Sequence, residues 1–152
     1  MIISKHISYK EATRSITAKR LGVENTPNEE HITNMQILAE KVFEPLRSHV
    51  GKPICINSMY RSGDLNKAIG GSKTSQHCKG QAMDIDDKYG HATNAEMFEF
   101  IKDNLSFDQL IWEFGTDENP NWIHISYVSE EENRNIMLKA YKNKGRTAYK
   151  KI

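Results

Sequence analysis

A change of hydrophobic period at Pro53 constrains this chain more than any other feature. Before it, Met35, Leu38, Ala39, Val42 and Leu46 recur at the three- and four-residue steps of a helix and make one apolar stripe. After it, the apolar residues fall into short β-rich runs at 54–57, 82–86, 109–114 and 122–128, parted by Gly, Asn and Asp clusters. A chain that spends its helical period first and its strand period afterwards reads as α+β, with N-terminal helices packed on a mainly antiparallel sheet.

Local signals mark the element ends. Ser8-Tyr9-Lys10-Glu11 has capping-box spacing and predicts a short helix that stops near Gly22. Thr26-Pro27-Asn28-Glu29 predicts a second helix, with Pro27 at the first helical position, and Pro45 predicts that the striped helix kinks or ends there. Thr93-Asn94-Ala95-Glu96 caps a further helix running to about Asn104, and 136–141 with 147–151 read as a hairpin turned at Asn143-Lys144-Gly145. There is no repeat, low-complexity tract or Pro/Ser linker, so residues 1–152 are expected to form a single domain.

Charge and composition matter here by exclusion. With 21 Lys and Arg against 20 Asp and Glu, the net charge of +1 provides no global field to draw in nucleic acid or an anionic membrane. A local excess runs from Lys139 to Ile152, where Lys139, Lys142, Lys144, Arg146, Lys150 and Lys151 meet no acid; it reads as a solvated face. No apolar run approaches the roughly 20 residues of a membrane-spanning helix. Residues 1–10 are too polar for a secretory signal, so cytoplasmic synthesis is expected, with Cys55 and Cys78 as free thiols. The expected state is a monomer with no nucleic-acid or membrane partner.

The unusual residues gather in two segments, 75–84 and 122–126. Seven residues of straight strand would part His77 and Asp84 by about 23 Å, and seven helical residues by about 10 Å. To share an ion the chain must fold back, and Gly80 is the one permissive backbone position for the turn. From there the period of two places Ala82, Asp84 and Asp86 on one face and Gln81, Met83 and Ile85 on the other. His124 likewise shares a face with Trp122 and Ser126. Two imidazoles and one carboxylate are donors that suit zinc, and three such ligands leave the fourth position that catalytic sites keep open. On spacing alone the plainer reading carries more weight: a loop His77, a strand-ending Asp84 and a hydrogen-bonded core His124. Gly70-Gly71-Ser72-Lys73-Thr74 is no phosphate loop, because Ser72 and Lys67 stand where glycines are required. The basic C-terminal run lacks the spaced aromatic platforms of a single-strand binder.

Ser75, His77, Gly80, Ala82 and Asp84 fit the Ser-x-His-x-x-Gly-x-Ala-x-Asp motif, and Tyr60-Arg61-Ser62 upstream and Trp122-Ile123-His124 downstream extend the match. With these the chain resembles the zinc D-Ala-D-Ala carboxypeptidase family, which includes phage L-alanyl-D-glutamate endolysins and shares its fold with the hedgehog signalling domain. The order and spacing are most similar to the small phage and prophage members, from about Ser4 onward. The resemblance implies a zinc metallopeptidase acting on peptidoglycan stem peptides, reaching the wall after release from the cell. It implies His77, Asp84 and His124 as zinc ligands, Arg61 as the cation at the substrate carbonyl or carboxylate, and Ser75 and Trp122 as substrate contacts. One departure stands out: many relatives carry an acid three residues before the last histidine, where this chain has Asn121. The general base then falls to Glu113, with Asp117, Glu118 and Asp86 as alternatives. Asn121 also keeps open a second class of function, a zinc-containing binding module without turnover.

Overall fold

The striped segment forms a continuous helical run in the computed structural model, which describes residues 1–152. Helix α3 (Glu29–Leu38) passes through a π turn (Ala39–Phe43) into α4 (Glu44–Val50). Met35, Leu38, Ala39, Val42 and Leu46 are all buried, as their spacing requires. Pro45 does not end the run. The Glu44 N–H reaches back five residues to the Ala39 carbonyl, and this widened turn makes room for a ring that would clash with a regular helical ladder. The run stops at Gly51, which takes the left-handed conformation at φ 74°.

Two of the expected N-terminal boundaries shift, each because a better cap lies nearby. The Ser8 capping box opens α1 (Tyr9–Thr13), but Arg14 is extended and Ser15 caps a separate α2 (Ile16–Leu21) that ends at Gly22. The next helix begins not at Pro27 but at Glu29, because the Asn28 side chain accepts the His31 N–H at 2.8 Å. Helix α6 (Asn94–Asn104) follows its Thr93 capping box as expected. A short β1 (Ile2–Ser4) and β2 (Ile7–Ser8) pair and α5 (Gly63–Ala68) carried no signal strong enough to read in the sequence. The β1–β2 turn is tied down by Glu44, which accepts from Ser4 Oγ at 2.6 Å and from the His6 N–H at 2.9 Å.

The four β-rich runs become β3 (Cys55–Ser58), β4 (Ala82–Asp86), β5 (Gln109–Glu113) and β6 (Trp122–Ser126), and the C-terminal hairpin is β7 (Ile136–Asn143) with β8 (Arg146–Lys151). They form one six-stranded sheet in the order β3-β4-β6-β5-β7-β8. Every pairing is antiparallel except β5 with β7. The two sheet faces have different fates. Met83, Ile85, Leu110, Trp112, Ile123 and Ile125 join the helices in a core of 24 buried residues. Their alternate neighbours, among them Asp84, Glu113 and His124, point to the opposite face, which α3, α4 and α6 leave open. The fold is thus α+β with N-terminal helices on a mostly antiparallel sheet, and no helix in it is long and apolar enough to cross a membrane.

Candidate metal centre

The turn that brings His77 back to Asp84 is a single 3-10 turn (Gln76–Lys79) closed by Gly80 at φ 74°. A Cβ at Gly80 would stand 2.4 Å from the His31 carbonyl oxygen, so both the backbone conformation and the close approach of α3 demand glycine. Ser75 caps the turn by accepting the His77 N–H at 3.3 Å. Asp84 and His124 meet by register, as direct partners across β4 and β6.

Ligand-capable atoms of His77, Asp84 and His124 all lie within 4.8 Å of one another. Asp84 Oδ1 faces both rings, 3.4 Å from His77 Nε2 and 3.0 Å from His124 Nδ1. Two ligands of a tetrahedral zinc, each about 2 Å from the ion, stand about 3.3 Å apart, so this spacing suits the ion. The donor arrangement argues the same way. His77 Nδ1 is 2.8 Å from the Met59 carbonyl oxygen, which only accepts, so Nδ1 carries the proton. In the neutral ring Nε2 then presents a lone pair to a carboxylate oxygen, two acceptors with no hydrogen between them. Burial pushes the His77 pKa down, which opposes a second proton on the ring. A cation other than a proton satisfies both atoms. Burial alone would raise the Asp84 pKa, but His77 and His124 outweigh it and hold the carboxyl well below the usual range, ready as an anionic ligand.

A cleft of about 1220 Å³ opens over the group, and Arg61, Ser75, Glu113 and Trp122 all line it. Arg61 donates its backbone N–H to the His77 carbonyl at 3.2 Å and an Nη2 hydrogen to Ser75 Oγ at 3.5 Å. Its Nε is buried with no partner in the protein. Glu113 lies one strand beyond His124, paired with Trp122 in register and only 7% exposed. Burial, with a smaller push from Asp84 and against the pull of His124, raises its pKa to about 7. Trp122 packs its ring against Phe114, with 5.5 Å between centroids.

The other carboxylates considered as a base lie elsewhere. Asp117 is exposed and paired with Lys139, Glu118 is exposed in the same loop, and Asp86 accepts from Asn94 Nδ2 at 2.8 Å. Asn121 is exposed, and its backbone N–H serves the Glu113 carbonyl at 2.9 Å, closing the loop that Asn94 braces through the Pro120 and Asn121 carbonyls. Both cysteines are free, and Cys78 is no member of the ligand group. The sequence reading missed two parts of the cleft. Asp108, almost fully buried, grips Arg134 at 2.9 and 2.7 Å and accepts from Gln76 Nε2 at 3.1 Å, beside His77. Thr147 and Tyr149 of β8 line the far wall. Alternation along β8 marks those two as neighbours on one face, but nothing local says which strand that face adjoins.

A family model described as Peptidase M15 matches residues 5–126, and no curated protein matches the chain.

Proposed function

The chain belongs to the peptidase M15 family of zinc metallopeptidases, and from that premise we propose that it hydrolyses peptide bonds in peptidoglycan stem peptides with zinc held by His77, Asp84 and His124. One observation carries the reading: a buried glutamate, Glu113, opens into the same cleft as a His-Asp-His group spaced for one ion. Zinc, when bound in such a group, supplies Lewis-acid activation of water and of the scissile carbonyl.

The residues divide the remaining work. Glu113 takes a proton from the attacking water and returns it to the leaving amine, and its raised pKa suits it to both steps near neutrality. Arg61, on the cleft wall, turns its guanidinium to the substrate carbonyl oxygen, where negative charge develops. A guanidinium suits this place because it stays charged and offers its donors in a fixed fork. Ser75 holds that guanidinium in position, and Trp122 offers a flat apolar wall to the peptide. The bond attacked is D-Ala-D-Ala at the stem terminus or L-Ala-D-Glu within it.

Digestion of purified peptidoglycan with the zinc-loaded protein, followed by mass spectrometry of the new termini, tests the reading and identifies the bond. New stem-peptide termini that vanish on chelation and return with zinc are expected. Binding of wall peptides with no cleavage under any metal condition would instead support a binding module.

A further inference from the structure

The C-terminal hairpin, β7 with β8, lies beyond the residues that the family model matches, yet it forms one wall of the cleft. Register explains how. Trp122 pairs with Glu113, Glu113 with Ala140, and Ala140 with Tyr149, so these four residues form one row across β6, β5, β7 and β8, all on the cleft face. Tyr149 therefore lies two strand spacings, about 10 Å, from the glutamate. The residue between them, Ala140, is fully buried and takes no part in the cleft lining, whereas Glu113 and Tyr149 on either side of it both do. In the adjoining row Ile111 and Leu138 continue an apolar floor from His124 toward the hairpin.

We propose that Tyr149 is a substrate-contacting, specificity-determining residue: the peptide lies in the cleft that Glu113, Leu138 and Tyr149 line, and the Tyr149 hydroxyl donates to one of its carbonyl or carboxylate oxygens. This rests on the peptidase reading above. Tyr149 is 53% exposed and has no hydrogen-bond partner in the protein, so its ring and hydroxyl are available to a ligand. Thr147, its neighbour on the same face, is held by Lys142 Nζ at 3.2 Å, which leans in turn over the Phe114 ring beside Trp122. The wall opposite the histidines thus combines a phenol and a hydroxyl above an apolar floor. That chemistry suits the carbonyl or carboxylate oxygens of a peptide lying along the floor. Tyr141, on the same hairpin, points to the opposite face, where Lys150 lies 6.0 Å from its ring, and it provides an internal control.

The test compares wild type, Tyr149→Phe, Tyr149→Ala and Tyr141→Ala, all zinc-loaded, on stem peptides from purified peptidoglycan, with KM and kcat measured separately. Tyr149→Phe is expected to raise KM by about 3- to 10-fold, the worth of one hydrogen bond, and Tyr149→Ala by about 10- to 30-fold, with kcat nearly constant. Zinc content and melting temperature should stay at wild-type values, and Tyr141→Ala should behave as wild type. An unchanged KM for Tyr149→Ala, or a KM rise of equal size in Tyr141→Ala, overturns the proposal. If the wild type cleaves no stem peptide, it is the peptidase reading that has failed. The subsite is then judged by fluorescence titration with the same peptides, read through Trp122: weaker binding by Tyr149→Ala supports it, and equal affinity or no wild-type binding overturns it.

Discussion

Glu113 is where residue-level chemistry carries most of the proposed function. Glu113→Gln keeps the shape and all three metal-capable residues, so zinc content should hold while turnover falls by about 10² to 10⁴, the usual effect of losing a positioned base. Stability should move the other way in metal-free protein. Folding raises this carboxyl from 4.5 to about 7, so its contribution to stability is complete below pH 4.5 and is lost as pH rises through 7. Glutamine carries no such penalty, so the melting temperature of Glu113→Gln should equal that of wild type at low pH and exceed it above pH 7. Equal melting curves at every pH, or near-normal turnover, would remove Glu113 from the role. Arg61, Ser75, His77, Asp84 and Trp122, whose proposed roles come from residue type and from the family motif, all line the one cleft. Glu113 was preferred to the other acids from the sequence, but the burial that raises its pKa was not legible, because burial is not a property of the residue alone.

At the scale of elements, the turn at Gly80 does the decisive work by reversing the chain between two of the proposed ligands. Gly80→Ala forces an alanine to φ 74° and its Cβ to 2.4 Å from the His31 carbonyl oxygen. The left-handed conformation alone costs about 1 to 2 kcal/mol, and the clash adds to it. Reduced stability in urea together with weaker zinc uptake is expected, because the displaced turn carries His77. Gly145→Ala is the comparison: φ is 79° there, but nothing lies within 4 Å of the added carbon, so only the conformational cost should appear and zinc uptake should be untouched. Element types were readable where a period agreed with a boundary signal, the Thr93 capping box for α6 and the Gly80 turn for β4. They were misread where two caps competed within a few residues, at Arg14-Ser15 and at Pro27-Asn28, because a cap is chosen by the hydrogen bond finally made. Pro45 misled for a related reason, since a π turn just ahead of it absorbs the ring.

For the whole molecule, a metal held by His77, Asp84 and His124 would couple the sheet to the turn that precedes it. His77→Ala and His124→Ala should each abolish stoichiometric zinc binding, and full occupancy in both would refute the ligand set. A ligand that binds only the folded state stabilises it by about 4 kcal/mol at a thousand times its Kd, so zinc should raise the melting temperature of wild type but not of either variant. Chelated wild type should melt where it does without zinc. The sequence by itself determined the donor types, the need for a turn at Gly80, the two faces of β4 and β6 and the order of helices before strands. All of these follow from local backbone freedom and side-chain period. Only the tertiary structure decided that β5 lies between β6 and β7 and runs parallel to the latter. Strand partners are selected by long-range packing, which leaves no mark on either strand alone. The β5–β6 pairing brings Glu113 beside His124 and the β5–β7 pairing sets it across Ala140 from Tyr149, and together they turn scattered residues into a cleft.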